Sequence, residues 1–383
     1  MKIVADENIP LLDAFFASFG DIIRLPGRAI TAEHLREADM LLVRSITQVN
    51  AELLQDSAIR FVGTATIGTD HIDEPFLSAK GIGFASAPGC NANAVVEYVL
   101  SALNVLAEQQ DFDIRDKVVG IVGKGNVGGT LHQVLQRLGV ATCVCDPFLE
   151  ESEPHGAYVD LPTLIAESDI ISLHTPLTHS GPYPTYHLFN DQVLRQLKPG
   201  TILINSGRGA VINNEALLKL KSEGFDTTVV LDVWEGEPEI NTALLPYVEL
   251  ATPHIAGYSL DGKMQGTEMI YKAACRFFGL PTRIKLPGIA PIPVMKSISF
   301  AGNVPRQQAV STAIRSLYDI RCDDVMLRRE LLKPGAEVGK IFDGLRKNYR
   351  ERREFKTLKI KLKNCPGDVV NAFKALGFKV VIH

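Results

Sequence analysis

Through the first 280 residues, short apolar runs alternate with segments of helical periodicity. Residues 2–6, 40–45, 61–67 and 82–87 read as strands, with a helix over 9–19. Such near-continuous apolar runs, flanked by helices, mark parallel strands covered on both faces. A long helix follows over 93–108. A second series then begins: strands over 117–122, 141–145, 170–174, 201–205, 228–233 and 249–252, with helices over 126–138 and 161–168. A βαβ series of this kind builds a doubly wound sheet, so the class is α/β. Residues 258–278 are again helical.

The pattern changes near residue 280. Pro281, Pro287, Pro291 and Pro293 cluster around Gly288, a density that breaks helices and marks a linker. The remainder holds helical segments over 306–318 and 338–350. Residues 356–363 alternate strictly, with Leu358, Ile360 and Leu362 on one face and lysines on the other. A helix over 368–376 and a strand over 378–382 complete a small α+β module.

Composition narrows the function. The chain has 383 residues, enough for two or three domains. Apolar residues are 46% and charged residues 22%, which excludes disorder and coiled coil. The net charge of −4 argues against a general nucleic-acid or membrane-surface binder. No stretch nears the about 18 apolar residues of a membrane helix, and no secretory leader is visible. The cysteines are Cys90, Cys143, Cys145, Cys275, Cys322 and Cys365, too sparse for a disulfide framework. The reading is a reduced, cytoplasmic protein. No cluster has zinc spacing, so no metal is expected.

The strongest motif is Gly123-Lys124-Gly125-Asn126-Val127-Gly128, which follows an apolar strand and opens a helix. The first glycine permits a tight turn, the second lets backbone approach a pyrophosphate, and the third lets helix pack on strand. The helix N-terminus stabilises phosphate charge. Asp146 lies 23 residues after Gly123, at the end of the next strand. Its carboxylate accepts hydrogen bonds from ribose hydroxyls and repels a 2′-phosphate, which favours NAD over NADP.

Segments 205–209, 231–238 and 252–257 end presumed strands of the same sheet, and ligands bind beyond the carboxyl ends of such strands. They carry Arg208, Glu237 and His254. Hydride transfer from a secondary alcohol needs a base for the hydroxyl proton, and histidine titrates near neutrality. A carboxylate beside it fixes its tautomer, and a guanidinium holds a substrate carboxylate. His174 reads as structural or cofactor-adjacent, and His71, His179 and His187 as packing or loop residues.

Together with Val43-Arg44-Ser45-Ile46-Thr47, Gly68-Thr69-Asp70-His71-Ile72-Asp73 and the segment 173–178, these motifs resemble the D-2-hydroxyacid dehydrogenase family over about residues 1–280. The resemblance implies two Rossmann-like doubly wound domains and a C-terminal α+β dimerisation module. A discontinuous substrate domain spans 1–93 and 256–285, an NAD domain spans 94–255, and the module spans 286–383. It implies catalysis by Arg208, Glu237 and His254. Gly123, Gly125, Asn126, Val127, Gly128, Asp146, Thr175, Ser206, Gly207, Arg208, Asp232 and Gly257 would hold NAD. Ser45, Thr66 and Tyr258 would contact a small phosphorylated hydroxy acid. Arg44 is a phosphate partner on charge grounds, with a domain-interface role as its alternative. The chain departs from the family at Thr66, where relatives carry glycine, in the long segment 179–188, and in the terminal module. It is expected to act as a homodimer.

Three other readings compete: dehydrogenation of another 2-hydroxy acid such as 3-phosphoglycerate, NAD sensing without turnover, and nucleic-acid binding. The last would use residues 346–363, with nine basic side chains and two acidic. Lysines alternating on a strand are more often a solvated face.

Overall fold

The computed structural model describes residues 1–153 and 155–383. Its contacts divide the chain into two compact units: Met1–Ala92 with Ser259–Ile292, and Asn93–Tyr258 with Pro293–His383.

The first unit holds strands β1 (Lys2–Asp6), β2 (Asp21–Leu25), β3 (Met40–Val43), β4 (Phe61–Thr64) and β5 (Gly83–Ala85). They form one parallel sheet in the order β2-β1-β3-β4-β5. The period-2 alternation of strands sends neighbours to opposite faces. Ile3, Ala5, Met40, Leu42 and Phe61 pack with Phe15, Phe16 and Tyr271, the last from the helix Leu260–Phe277. Val4, Leu41, Val43 and Val62 pack on the other face with Leu35, Leu54 and Leu77. The expected helix over 9–19 is shorter, Leu12–Phe16, and continues as a tighter turn over Ala17–Phe19. Strand β2 had no counterpart in the sequence reading, because it is a sheet edge and none of its five residues is fully buried.

The second unit contains β6 (Val118–Val122), β7 (Ala141–Cys145), β8 (Ile170–Leu173), β9 (Thr201–Asn205), β10 (Thr227–Leu231) and β11 (Leu250–Ala251). They form a six-stranded sheet, order β11-β10-β9-β8-β6-β7, parallel throughout. The helix Ala92–Gln109 covers one face through Val99, Leu103 and Leu106, which share a core with Val119, Ile121, Ile170 and Ile204. A third parallel sheet joins β12 (Ser297–Ala301), β13 (Lys359–Lys363) and β14 (Lys379–Ile382). The alternation in β13 is as expected: Ile360 and Leu362 are buried.

This third sheet shares its core with the six-stranded sheet, since Ile360, Leu362, Phe373 and Phe378 join the same cluster as Val99 and Leu103. Buried polar links reinforce it. Arg352 lays its guanidinium 3.6 Å from the Tyr318 ring centroid. It donates to the carbonyls of Ala94 at 2.5 Å and Ala256 at 3.1 Å. The Phe355 amide donates to Glu97 at 2.7 Å, and Ser101 donates to the Tyr318 carbonyl at 3.0 Å. Burial, with Glu354 nearby, raises the Glu97 carboxyl well above its usual range. The helix Ile320–Leu331, also unforeseen, caps the far edge, where Asp324 accepts from the Ala251 amide at 2.8 Å.

No helix among the described residues is long and apolar enough to cross a membrane.

Candidate active site

The turn after β6 is shaped by what its glycines exclude. Gly123 has φ +86°, a left-handed conformation that side chains disfavour. A Cβ on Gly128 would lie 1.9 Å from the Gly123 carbonyl oxygen, so the helix Asn126–Leu138 can approach the strand only with glycine there. A Cβ on Gly125 would meet nothing within 4 Å. The space above Gly125 is therefore open, at a helix N-terminus with no side-chain cap. Open space beside unsatisfied first-turn amides fits a phosphate.

Asp146 follows β7. One carboxylate oxygen accepts from the Lys124 amide at 2.7 Å, the other from the Leu149 amide at 3.2 Å. The carboxylate thus fixes the loop while lone pairs remain for further donors. Thr175 and Ser206 follow β8 and β9, and their hydroxyl oxygens are buried without a hydrogen-bond partner. The loops that carry them lie together: a Cβ on Gly207 would sit 3.2 Å from the Thr175 carbonyl oxygen. Orphaned buried hydroxyls are rare, and a polar ligand would satisfy them. His174 bonds Ser172 at 2.9 Å through Nε2, while Nδ1 has no partner. Burial lowers its pKa to about 4, so the ring is neutral.

Asn205 folds the next loop. Its amide donates to the Arg208 carbonyl at 3.0 Å, and its side-chain oxygen accepts from the Gly207 amide at 3.1 Å. Arg208 Nη1 donates to the Gly207 carbonyl at 3.0 Å. A Cβ on Gly209 would lie 2.0 Å from the Trp234 backbone, so the arginine loop abuts the segment leading to Glu237.

His254 has φ +55°, a conformation that costs a side chain strain and collects at functional sites. Its amide donates to the Asp232 carbonyl at 2.7 Å. Its Nδ1 lies 2.6 Å from Glu237 Oε2. Glu237 Oε1 accepts from the Trp234 amide at 2.7 Å, and the Glu237–Pro238 peptide is cis. With the Nδ1 proton donated to Glu237, Nε2 carries the lone pair and faces away from the carboxylate.

Beneath this pair lies Asp232, 1% exposed. Its carboxylate accepts from Thr252 Oγ1 at 2.7 Å and from the Ile255 and Ala256 amides at 2.8 and 2.9 Å. Burial raises its pKa, while His254 and these donors oppose the rise. Tyr98 OH reaches Thr252 Oγ1 at 2.9 Å, and Trp234 Nε1 donates to the Thr252 carbonyl at 3.0 Å. Tyr98, Asn205, Trp234 and Thr252 were absent from the sequence-derived site. Their only signal was polar or ring-N–H chemistry at positions otherwise read as core, Tyr98 within a helix and the other three at or just past strand ends. Gly257 precedes Tyr258, whose ring meets Tyr349 edge-on at 5.8 Å. A second imidazole–carboxylate pair, His187 with Glu235 at 2.6 Å, ties the segment before residue 190 to the loop before Glu237.

The remaining expected residues belong to the first unit. Arg44 and Ser45 come directly after β3, and Ser45 is exposed. Thr66 comes two residues after β4, its hydroxyl 2.7 Å from Thr64 Oγ1 and donating to the Gly68 carbonyl at 3.3 Å. Among the described residues no group of His, Cys, Asp and Glu is placed to hold a metal ion.

Comparison with known proteins agrees with this geometry. Residues 101–256 match the family described as D-isomer specific 2-hydroxyacid dehydrogenase, NAD binding domain, and residues 289–377 match a domain of unknown function. Erythronate-4-phosphate dehydrogenase of Marinobacter nauticus is 50% identical over 384 residues, covering 100% of both chains. The protein of that name from Chromohalobacter salexigens is 49% identical over 380 residues, covering 99% of each. The fold is shared with D-lactate dehydrogenase of Aquifex aeolicus, with a TM-score of 0.59, 23% identity, and 73% of this chain and 96% of that one covered. It is shared likewise with the cofactor-bound 3-phosphoglycerate dehydrogenase of Entamoeba histolytica, with a TM-score of 0.61, 23% identity, and 73% and 95% covered. The chain is thus an NAD-dependent oxidoreductase of the α/β class with two Rossmann-like sheets and a third small one.

Proposed function

The chain belongs to the erythronate-4-phosphate dehydrogenases, within the D-isomer specific 2-hydroxyacid dehydrogenases, and we propose that it oxidises carbon 2 of 4-phospho-D-erythronate. The product is (R)-3-hydroxy-2-oxo-4-phosphooxybutanoate, and the step serves pyridoxal 5′-phosphate (vitamin B6) biosynthesis. NAD, when bound, supplies the hydride acceptor. Gly123, Gly125, Asn126, Val127 and Gly128 hold its phosphates, Asp146 its adenosine ribose, and Thr175, Ser206, Gly207 and Gly257 its nicotinamide half.

The residues then divide the work. His254 Nε2 takes the hydroxyl proton from carbon 2 as the C–H pair departs. Glu237 stabilises the imidazolium that forms and keeps Nδ1 protonated. Arg208 grips the substrate carboxylate and steadies negative charge on the carbon-2 oxygen. Asp232, buried and bonded to the loop after His254, holds the imidazole in place. Ser45, Thr66, Tyr258 and Arg44 contact the substrate. The 2.6 Å pairing of His254 with Glu237 carries this reading.

The protein works in the cytoplasm as a homodimer joined through residues 286–383. Val325, Leu332 and Ile382 of that segment are 59%, 70% and 61% exposed, apolar surface that a second copy would cover. Sedimentation as a monomer at all concentrations would overturn the dimer.

The deciding experiment is single-turnover NAD reduction with stoichiometric protein, offering 4-phospho-D-erythronate and 3-phosphoglycerate in parallel. Reduction with the four-carbon acid is expected. Reduction with 3-phosphoglycerate alone keeps the chemistry and discards the substrate.

A further inference from the structure

The loop after His254 is fixed through its backbone. The Ile255 and Ala256 amides donate to Asp232, and the Tyr258 amide donates to the Ile255 carbonyl at 2.8 Å. That places the Tyr258 main chain but leaves its side-chain torsions to be chosen by neighbours. The neighbours come from the segment that matches a domain of unknown function. Tyr349 meets the Tyr258 ring edge-on, with centroids 5.8 Å apart and planes at 82°. The Arg346 guanidinium lies 6.0 Å from the same centroid. Arg352 donates to the Ala256 carbonyl at 3.1 Å, so one short stretch of chain grips the loop at three points.

Each contact is itself anchored. Arg346 stands one turn after Phe342 in the helix Val338–Lys347, and its guanidinium lies 5.9 Å from the Phe342 ring centroid. Phe342 is buried in the core of the six-stranded sheet. Tyr349 donates its hydroxyl to Asp323 at 2.8 Å, and Arg350 faces the same carboxylate at 3.3 Å. Asp323 is only 3% exposed, so turning the Tyr349 ring would strip a hydrogen bond from a buried charge, which is costly. A ring tied down at its hydroxyl presents its edge in one direction, and an edge-on pair fixes the partner ring in turn. We propose that Tyr349 is a positioning residue: it holds the Tyr258 ring in the direction that meets the substrate, with Arg346 in support. This rests on Tyr258 contacting 4-phospho-D-erythronate. It gives the C-terminal segment a part in substrate recognition besides joining two copies of the chain.

The test is a double-mutant cycle on kcat/KM for 4-phospho-D-erythronate, with NAD affinity measured alongside. Tyr349→Leu is expected to raise KM by about 2- to 12-fold, the worth of an aromatic pair, with kcat and NAD affinity near wild type. Tyr349→Phe keeps the ring and is expected to recover part of the loss. In a Tyr258→Ala background, Tyr349→Leu is expected to change kcat/KM no further, because the ring it positions is gone. Equal losses in both backgrounds, a loss confined to NAD affinity, or a folded Tyr349→Leu variant with wild-type KM overturns the positioning role. If Tyr349→Leu fails to fold, Arg346→Met enters the same cycle under the same criteria, with KM expected to rise by about 2- to 5-fold. A Tyr258→Ala variant with wild-type kcat/KM overturns the substrate contact beneath the proposal.

Discussion

Gly125 and Gly128 belong to the same loop, yet their alanine variants should fail in different ways. On Gly128 a methyl would lie 1.9 Å from the Gly123 carbonyl oxygen, against ordinary contact of about 3.5 Å. The helix must retreat by more than an ångström from the strand, at an overpacking cost toward the upper end of about 1–3 kcal/mol. Gly128→Ala should therefore lose stability even without ligand. On Gly125 the methyl meets no protein atom, and the residue has φ −67°, which alanine accepts. The poorer N-cap is offset by about 0.4–1 kcal/mol from a less flexible unfolded chain. Ligand-free Gly125→Ala should thus unfold like the wild type. The same methyl occupies the space assigned to pyrophosphate, and an overpacking cost of about 2 kcal/mol weakens NAD about 30-fold. At NAD equal to about 100 times the wild-type Kd, stabilisation is about 2.7 kcal/mol for the wild type and about 0.9 kcal/mol for Gly125→Ala. Denaturant unfolding with and without NAD measures both quantities. If Gly125→Ala keeps the full NAD-dependent shift, the pyrophosphate does not pass over Gly125 and the assignment of the loop is wrong.

Asparagine tolerates the left-handed backbone of residue 254 but supplies no base; His254→Asn should retain stability and NAD affinity while kcat falls by about 10²–10⁴. Thr252→Val removes the hydroxyl between Tyr98 and Asp232 and should cost about 1–3 kcal/mol of stability in urea unfolding. His174 is neutral when folded, with a pKa near 4, but charges near 6.5 when unfolded. Its contribution is therefore complete above about pH 6.5 and is lost as pH falls toward 4. Between pH 7 and 5 wild type should lose about 1–2 kcal/mol more than His174→Gln, read from urea midpoints; parallel pH profiles would refute it.

The sheets and the nucleotide loop were legible because their residues carry strong local signals. Apolar runs such as Val118–Val122 announce buried strands, and glycine spacing with Asp146 announces the turn. The pairing of His254 with Glu237 was inferable because both end strands of one sheet. Elements at edges were not legible. Asp21–Leu25 and Ser297–Ala301 are half-solvated, so they lack an apolar run, and each is made a strand by pairing on one side only, with β1 and with the distant β13. The buried links Tyr98–Thr252–Asp232 were hidden for another reason. Each member reads as a core residue, and only the fold brings a helix hydroxyl onto a strand-end threonine.

The guanidinium of Arg352, laid on Tyr318 and bonded to Ala94 and Ala256, bears on how such a chain can change by descent. Ala256 is two residues from His254, so the C-terminal segment reaches to the loop that carries that imidazole. A shortened gene ending near Pro293 would uncover Tyr98, Leu100 and Ser101 and release that loop in a single event. The extension is therefore not excisable: losing it demands simultaneous recolouring of a buried helix face from apolar to polar.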